Sequence, residues 1–180
     1  MIINNSSSII KKIKLLVSDV DGVLTDGRIL INSDNTESKF FNVEDGTAAA
    51  LAYFAKLPIA LISGRYSKCT EIRASELNIK HCFQNTLNKT KVLHDLMKIY
   101  SVEYNEIAYI GDSLVDIPVF DIVGYPISVP NAHELAKKSA QHITKKSGGE
   151  GVLLEVVEWI LKNQERYENV LKLMKRDKFE

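Results

Sequence analysis

Short apolar runs alternate with longer stretches of helical periodicity along most of the chain, beginning at Ile13. This alternation predicts repeated strand and helix units and a mostly parallel sheet, because parallel strands need long, usually helical, crossovers. Runs that are apolar at nearly every position indicate strands covered on both faces. The predicted strands are residues 13–18, 59–63, a segment around Cys82, 107–111 and 125–129. The predicted helices are residues 47–55, 67–77, 89–100, 115–122, 133–139 and one beginning near Gly151.

Residues 28–42 depart from this rhythm. They carry β-prone runs on either side of an Asn/Ser/Asp turn cluster, which predicts a β-hairpin. Beyond Lys162, apolar residues are mixed with many charges, a pattern that suits an amphipathic helix, a docking tail or a solvated C-terminus. We expect a single domain over residues 13–162, a flexible N-terminus over 1–12 and a C-terminal tail over 163–180.

Composition narrows the classes of partner. Lys plus Arg and Asp plus Glu number 23 each, so the protein has no global positive field to gather nucleic acid or anionic membrane. No stretch approaches the roughly 20 apolar residues that span a bilayer. Cys69 and Cys82 are too few for a disulfide framework or a four-ligand zinc site. We expect a cytoplasmic protein without nucleic-acid or membrane partners, in which any anionic ligand is held by a local site.

Two carboxylates, Asp19 and Asp21, follow the first predicted strand. Both can face the crevice at the strand ends, where open α/β sheets bind ligands. Crowded carboxylates repel each other unless a cation or a shared proton compensates, which makes the pair a candidate metal site or acid/base pair. Gly22 would let the chain turn sharply and expose backbone N–H groups to an anion. A plain Asp-Gly turn is the competing explanation, so the pair alone does not establish a site.

A second acidic cluster ends the strand predicted at 107–111. Asp112 follows that strand directly, and Asp116 comes four residues later at the start of a helix. Carboxylates from two parallel strand ends can share one hard cation, and Mg²⁺ typically takes one or two carboxylates together with waters and phosphate oxygens. Asp19 and Asp112 match that requirement. Taken alone, Asp116 is better explained as a negative charge that complements a helix dipole.

Two polar anchors lie between the acidic clusters. Ser63, Gly64 and Arg65 end the strand predicted at 59–63, where a hydroxyl and backbone amides form an anion cradle and also suit a helix N-cap. Lys89 begins a helix, a position where a cation opposes the dipole. That placement is reasonable if the ammonium contacts a phosphate and an acyl-phosphate intermediate.

In chain order, DVDGVLTDG, SGR, the lysine of NKTK and GDSLVD resemble the four motifs of the haloacid dehalogenase superfamily of phosphotransferases. The longer strings GVLTDG, KFFNVEDG and GGEG are similar, more narrowly, to the 3-deoxy-D-manno-octulosonate 8-phosphate phosphatase family, from about Lys14 to Trp159. The resemblance implies a Rossmann-like α/β fold of the haloacid dehalogenase type, with a parallel sheet flanked by helices and no large cap domain. It also implies Mg²⁺ as cofactor, a phosphorylated sugar acid as substrate, and a homotetramer assembled through the hairpin, which acts as a small flap.

The same resemblance implies the chemical roles. Asp19 is the nucleophile and Asp21 the general acid/base. Ser63, Gly64 and Lys89 contact the phosphate. The metal is held by Asp19, Asp112 and the backbone carbonyl of Asp21. Asp116 orients Lys89 or a metal-bound water.

Selection of the sugar acid is assigned by the resemblance to Arg65 and Asp45, together with the GGEG segment and the C-terminal tail, with neighbouring subunits completing each site. Two positions depart from the family pattern. Asn85 stands where many relatives have Gly, and Leu154 stands where many have Arg. The departures bear on which sugar acid is bound, and leave the predicted reaction unchanged.

Three alternatives stay open at this point. A receiver-type phosphoacceptor also groups aspartates around Mg²⁺ and uses a lysine, but it has no need of an acid/base at Asp21. An inactive structural subunit would not be expected to keep every chemical group. Among enzymes, a phosphatase of nine-carbon sulosonic acid 9-phosphates shares the scaffold and the GGEG string.

Overall fold

The computed structural model of the chain describes residues 9–179, with side chains described up to residue 176. At its centre is a parallel six-stranded sheet, which consists of β1 (Leu15–Ser18), β4 (Ile59–Ile62), β5 (His81–Phe83), β6 (Ile107–Gly111), β7 (Tyr125–Ser128) and β8 (His142–Ile143). The strand order is β5-β4-β1-β6-β7-β8. A separate antiparallel pair consists of β2 (Leu30–Ile31) and β3 (Glu37–Ser38).

The α-helices fill the crossovers between the strands and the C-terminal end. They are α1 (Glu44–Phe54), α2 (Lys68–Glu76), α3 (Lys89–Tyr100), α4 (Ile117–Phe120), α5 (Glu134–Ser139), α6 (Val152–Asn163) and α7 (Tyr167–Phe179). Two 3₁₀ turns, Tyr104–Glu106 and Leu114–Asp116, flank β6. None of the helices within residues 9–179 combines the length and the apolar character needed to cross a membrane.

The four central strands β1, β4, β6 and β7 are buried at every position. Continuous apolar runs therefore form strands that are covered on both faces, as the sequence predicts. Local signals fix where two helices start. Ser67 accepts a hydrogen bond from Thr70 N at 3.3 Å before α2, and Asn88 accepts one from Lys91 N at 3.1 Å before α3. The predicted fold class is confirmed.

Some boundaries differ from those expected. Helix α1 begins at Glu44, three residues before the predicted start. The prediction missed this first turn because Gly46 weakens the helical pattern of the sequence there. The helix predicted over 115–122 is a 3₁₀ turn followed by the four-residue α4, in which Pro118 lies in the first turn. Strand β8 was not predicted, since two residues that include His142 carry no recognisable pattern.

The predicted hairpin is present, with Leu30 paired to Ser38 and Ile31 to Glu37. Leu30 and Ile31 are 55% and 69% exposed, so this pair of strands projects from the domain. Within residues 9–179 there is no second domain that could act as a large cap.

Both ends of the described chain pack on the domain. Residues 1–8 of the predicted flexible N-terminus lie outside the described residues, but Ile10 is buried and its carbonyl accepts a hydrogen bond from Gln164 Nε2 at 3.3 Å. Helix α7 lies within the segment predicted to be a tail and packs against α1 and α6, with Val170 buried. Arg166 donates to the carbonyl of Ala55. The division of the chain at residues 12 and 162 stays a prediction.

Candidate active site

The sheet order brings the two acidic clusters together. Strands β1 and β6 are parallel neighbours, and Asp19 and Asp112 follow their C-terminal ends. The backbone N–H of Asp19 donates to the carbonyl of Ile110 at 2.8 Å, which extends the pairing to the first carboxylate. Asp19, Asp112 and Asp116 each place one carboxylate oxygen in a common cluster, in which the three oxygens lie within 4.8 Å of one another.

Asp19 is 5% exposed and has a defined orientation. Its Oδ1 accepts from Val20 N at 2.6 Å, and its Oδ2 accepts from Lys89 Nζ at 2.6 Å. Burial raises the pKa of Asp19 to about 7, against the opposing effect of the Lys89 ammonium. A further cation beside Asp19 would favour its ionised form, which is the form a nucleophile requires.

Asp116 supports Lys89 from the other side. Lys89 Nζ lies 2.7 Å from Asp116 Oδ1, and the Tyr109 hydroxyl donates to the same oxygen at 2.6 Å. Asp116 Oδ2 accepts from Asp112 N, Ser113 N and Ser113 Oγ at 2.9–3.1 Å. Burial acts to raise the pKa of Asp116, but Lys89 and these hydrogen bonds outweigh it and the net pKa lies below the ordinary value. Because both oxygens are occupied, Asp116 is better suited to holding Lys89 than to binding a metal.

Asp112 has the opposite character. Its Oδ1 is buried and has no hydrogen-bond partner among the described residues. Burial raises the pKa of Asp112 to about 6, and the nearby Asp116 adds to the effect. Gly22 lies directly against this carboxylate, since a Cβ at Gly22 would be 2.1 Å from Asp112 Oδ2. A buried, unpartnered carboxylate oxygen beside Asp19 fits a hard divalent cation such as Mg²⁺.

Ser63 lies on the other side of β1, after the parallel neighbour β4. It is 1% exposed, and its hydroxyl closes the following turn by donating to Arg65 O at 2.9 Å and accepting from Arg65 N at 3.3 Å. Gly64 is half-buried, and a Cβ there would meet the Leu87 side chain at 3.7 Å. The turn is thus preformed beside Asp19, and its contact with phosphate stays a prediction.

The hairpin supplies two contacts that sequence reasoning missed. Lys39 Nζ lies 2.5 Å from Asp21 Oδ1, and Glu37 Oε2 lies 2.5 Å from Arg65 Nη1. Both pairs join β3 or the residue after it to a predicted site residue. The only available signal was the charge alternation in ESK, which has no meaning until the hairpin folds onto the site.

Asp45 lies at the start of α1, outside the cluster of the other carboxylates. It is 1% exposed, and neither carboxylate oxygen has a hydrogen-bond partner among residues 9–176. Burial raises the pKa of Asp45 to about 6, against the opposing effect of the Arg73 guanidinium. Arg73 itself donates to Asn42 O at 2.7 Å. A role for Asp45 in sugar-acid selection stays a prediction.

The GGEG segment packs on the loop that carries the first two aspartates. Gly149 N donates to Val23 O at 3.0 Å, and Asn42 Nδ2 donates to Gly149 O at 3.1 Å. A Cβ at Gly148 would lie 1.9 Å from Gly22 O, so this close approach requires glycine. The segment therefore braces the loop after Asp21.

The two departures from the family pattern have simple structural settings. Asn85 has a φ of 56°, in the left-handed region that Gly adopts freely and Asn tolerates. Leu154 is partly buried and packs against the core.

Comparisons with known proteins agree with this geometry. The haloacid dehalogenase-like hydrolase family matches residues 28–156. A 3-deoxy-D-manno-octulosonate 8-phosphate phosphatase of Yersinia pestis is 38% identical over 156 residues, 87% of this chain and 83% of that protein. The corresponding phosphatase of Escherichia coli K12 is 38% identical over 151 residues, 84% of this chain and 80% of that protein.

Solved structures extend the match. The 3-deoxy-D-manno-octulosonate 8-phosphate phosphatase of Moraxella catarrhalis, in complex with magnesium, phosphate and 3-deoxy-D-manno-octulosonate, superposes with a TM-score of 0.90 at 38% identity, covering 96% of this chain and 99% of that one. The cobalt-bound deoxy-D-mannose-octulosonate 8-phosphate phosphatase of Haemophilus influenzae gives a TM-score of 0.85 at 34% identity, covering 88% of this chain and 93% of that one. Together with the site geometry, these matches show that the chain belongs to the haloacid dehalogenase-like hydrolases and, within them, to the 3-deoxy-D-manno-octulosonate 8-phosphate phosphatase family.

Proposed function

We propose that this protein is a Mg²⁺-dependent phosphatase that hydrolyses 3-deoxy-D-manno-octulosonate 8-phosphate to the free sugar acid and phosphate, a step in making a lipopolysaccharide precursor. The observation that carries the proposal is the position of Asp19, which accepts a hydrogen bond from the Lys89 ammonium and lies in one carboxylate cluster with Asp112. Among the described residues, Asp112 Oδ1 has no hydrogen-bond partner. The relatives named above carry this activity in their names, and the Moraxella catarrhalis structure contains magnesium, phosphate and the sugar-acid product. Because the matched family consists of hydrolases and the named relatives are phosphatases, the comparisons favour an enzyme over a receiver-type phosphoacceptor.

Mg²⁺ fits the site, where Asp19, Asp112 and the backbone carbonyl of Asp21 would hold it. When bound, it would offset the repulsion between the Asp19 carboxylate and the phosphate dianion. In our proposal Asp19 attacks phosphorus and forms an aspartyl phosphate, while Lys89 and Ser63 hold phosphate oxygens. Charge in a loose phosphoryl-transfer transition state spreads over these oxygens, so fixed cations and amides supply most of the stabilisation.

In this proposal Asp21 carries out both proton transfers of the reaction. Asp21 gives a proton to the departing sugar alkoxide as the ester bond breaks. The resulting carboxylate then takes a proton from the water that attacks the aspartyl phosphate, which releases phosphate and regenerates Asp19. General acid/base catalysis of this kind typically contributes about 10²–10⁴-fold.

We further propose a homotetramer assembled through the hairpin. Leu30, Ile31, Phe40 and Val43 are between 55% and 85% exposed, and such a concentration of exposed apolar side chains is typical of a contact surface. Sedimentation equilibrium should give a mass of four chains, falling for Ile31→Ser, whereas a monomer at micromolar concentration would contradict the proposal. Cytoplasmic location, and selection of the sugar acid by Arg65 and Asp45, stay predictions.

The substrate is tested by measuring phosphate release with Mg²⁺ across three groups of compounds: octulosonate 8-phosphate, nonulosonate 9-phosphates and simple hexose phosphates. We expect the highest kcat/KM for octulosonate 8-phosphate. A preference for a nonulosonate 9-phosphate would favour the nine-carbon alternative, and a preference for hexose phosphates would overturn the sugar-acid assignment while leaving the reaction intact. Absence of turnover with an accumulating aspartyl phosphate would overturn the phosphatase function itself.

A further inference from the structure

Lys39 has a completely buried side chain, although it follows β3 in the projecting hairpin and Phe40 beside it is 75% exposed. Removing an ammonium group from water costs several kcal/mol, and that cost is recovered only when an anion and further acceptors replace the water. The burial of Lys39 therefore depends on specific partners.

The anionic partner is Asp21. Lys39 Nζ lies 2.5 Å from Asp21 Oδ1 and 3.4 Å from the hydroxyl of Thr70, which is itself 1% exposed on α2. The Asp21 side chain keeps 24% of its surface exposed. Lys39 thus covers Oδ1 of the carboxylate and leaves part of the Asp21 side chain exposed.

A second ion pair fixes the same strand. Glu37 precedes Lys39 by two residues, so both side chains point to one face of the extended chain. Glu37 pairs with Arg65 at 2.5 Å, and its carbonyl accepts from Cys69 Sγ at 3.4 Å. The two pairs have opposite polarity, because the hairpin offers an anion to Arg65 and a cation to Asp21. If the pairing of β3 shifted by one residue, both charged side chains would turn away from the site. The two ion pairs therefore specify a single register for this strand.

We infer that Lys39 is a positioning residue for Asp21: by holding Oδ1, it directs the other carboxylate oxygen toward the leaving group and the attacking water. The inference rests on the proposed acid/base role of Asp21. Proton transfer needs a hydrogen bond of about 2.6–3.2 Å to the reacting oxygen, and an unrestrained aspartate samples several rotamers. The hairpin then contributes to the chemistry of its own subunit as well as to assembly.

Two other roles for Lys39 make different predictions. A purely structural ion pair would, when lost, affect all substrates alike. A lysine that binds substrate directly would raise KM whether or not Asp21 is present. Positioning through Asp21 predicts an effect that depends on the leaving group and that disappears when Asp21 is already replaced.

The test compares kcat/KM of wild type, Lys39→Met, Asp21→Asn and the double variant, with the best sugar-acid phosphate and with 4-nitrophenyl phosphate. The nitrophenolate departs without a proton, whereas the sugar alkoxide needs one. We expect Lys39→Met to lower kcat/KM for the sugar-acid phosphate by about 10–100-fold, part of the range for general acid catalysis, and for the aryl phosphate by about 3-fold or less. In the Asp21→Asn background, Lys39→Met should change kcat/KM by no more than about 2-fold, because residues acting through one group are not additive.

Lys39→Met should fold, since the partly exposed Asp21 it leaves behind can be solvated. Lys14→Met is the matched control: it removes an ion pair with Glu106 at 2.6 Å, at the start of β1 and away from the site, and should leave both rates unchanged. If Lys39→Met does not fold, Thr70→Val removes the second contact of the ammonium and should give the same substrate dependence with a smaller loss.

Equal losses on the two substrates, a loss that persists without Asp21, or no loss at all would each overturn the inference. Failure of the underlying function gives a different result. If Asp21→Asn keeps the wild-type rate, the acid/base assignment is wrong. If Asp21→Asn is impaired while Lys39→Met is not, only the role of Lys39 is refuted.

Discussion

Lys89 Nζ lies 2.6 Å from Asp19 Oδ2, although the two residues are 70 positions apart in the chain. The same ammonium lies 2.7 Å from Asp116 Oδ1, so one buried cation is shared by two buried carboxylates. The sharing is unequal, because Asp116 is also held by Tyr109 and by the Ser113 turn. Asp116 therefore fixes Lys89, and Asp19 is the carboxylate left for chemistry.

Replacing the nucleophile should abolish turnover. We expect Asp19→Asn to lower phosphate release by about 10⁴-fold or more, the scale seen when a nucleophile is removed from a catalytic unit. Its thermal stability should not fall, because the substitution removes one of two buried carboxylates that share a single ammonium. Release of phosphate at the wild-type rate would show that Asp19 is not the nucleophile.

The metal should stabilise the folded protein through Asp112. In wild type, chelation should stop turnover, and Mg²⁺ at about 100 times its Kd should add about 2.7 kcal/mol to the free energy of unfolding. Asp112→Asn removes one ligand charge, so its melting temperature should respond little to Mg²⁺. Asp95→Asn, an exposed carboxylate on α3, is the control and should keep the wild-type response. An undiminished Mg²⁺ response in Asp112→Asn would contradict the assignment.

Two glycine substitutions should have opposite effects. Gly22 has a φ of 91°, and a Cβ there would lie 2.1 Å from Asp112 Oδ2, so Gly22→Ala should destabilise the fold by about 1 kcal/mol or more and lower Mg²⁺ affinity. Gly46 lies in α1, and a Cβ there meets nothing within 4 Å. Gly46→Ala should therefore stabilise the protein by about 0.5–1 kcal/mol and leave Mg²⁺ affinity unchanged. Chemical denaturation and Mg²⁺ titration measure both quantities; equal effects of the two substitutions would refute the close packing at Gly22.

Asp45 should make stability depend on pH. Burial raises its folded-state pKa from 3.8 to about 6, so the folded state favours the protonated form. The penalty for ionisation is absent below about pH 4, grows between pH 4 and pH 6, and is complete above, reaching at most about 3 kcal/mol. Asp45→Asn removes this titration.

The expected measurement is therefore a difference between two stability profiles. The stability of Asp45→Asn relative to wild type should increase from pH 4 to pH 7, whatever constant offset the new amide introduces. The exposed-carboxylate variant Asp95→Asn should not show this increase. A constant difference between Asp45→Asn and wild type across that range would mean that Asp45 ionises in the fold without cost.

The four central strands were predictable because burial on both faces leaves a plain signal, a run that is apolar at nearly every position. Their C-terminal ends then indicated where Asp19, Ser63 and Asp112 would lie. The start of α1 and the two-residue β8 were less accessible, because Gly46 interrupts the helical pattern and a two-residue strand is specified by its neighbour β7. At the start of α1, the low helix propensity of Gly46 conflicts with the helix that forms, whereas β8 exists only because it pairs with β7 in the folded protein.

By itself, the sequence determined the fold class, the family resemblance and the residues available for the reaction, since periodicity and motif spacing are local properties of the chain. The tertiary structure determined the environment of each of these residues and thereby which role it suits. It showed that both oxygens of Asp116 accept hydrogen bonds, that Asp112 Oδ1 has no partner within the described part of the chain, and that Lys39 contacts Asp21. These distinctions depend on distances between segments that are far apart in sequence, and only the packed sheet and the folded hairpin set them.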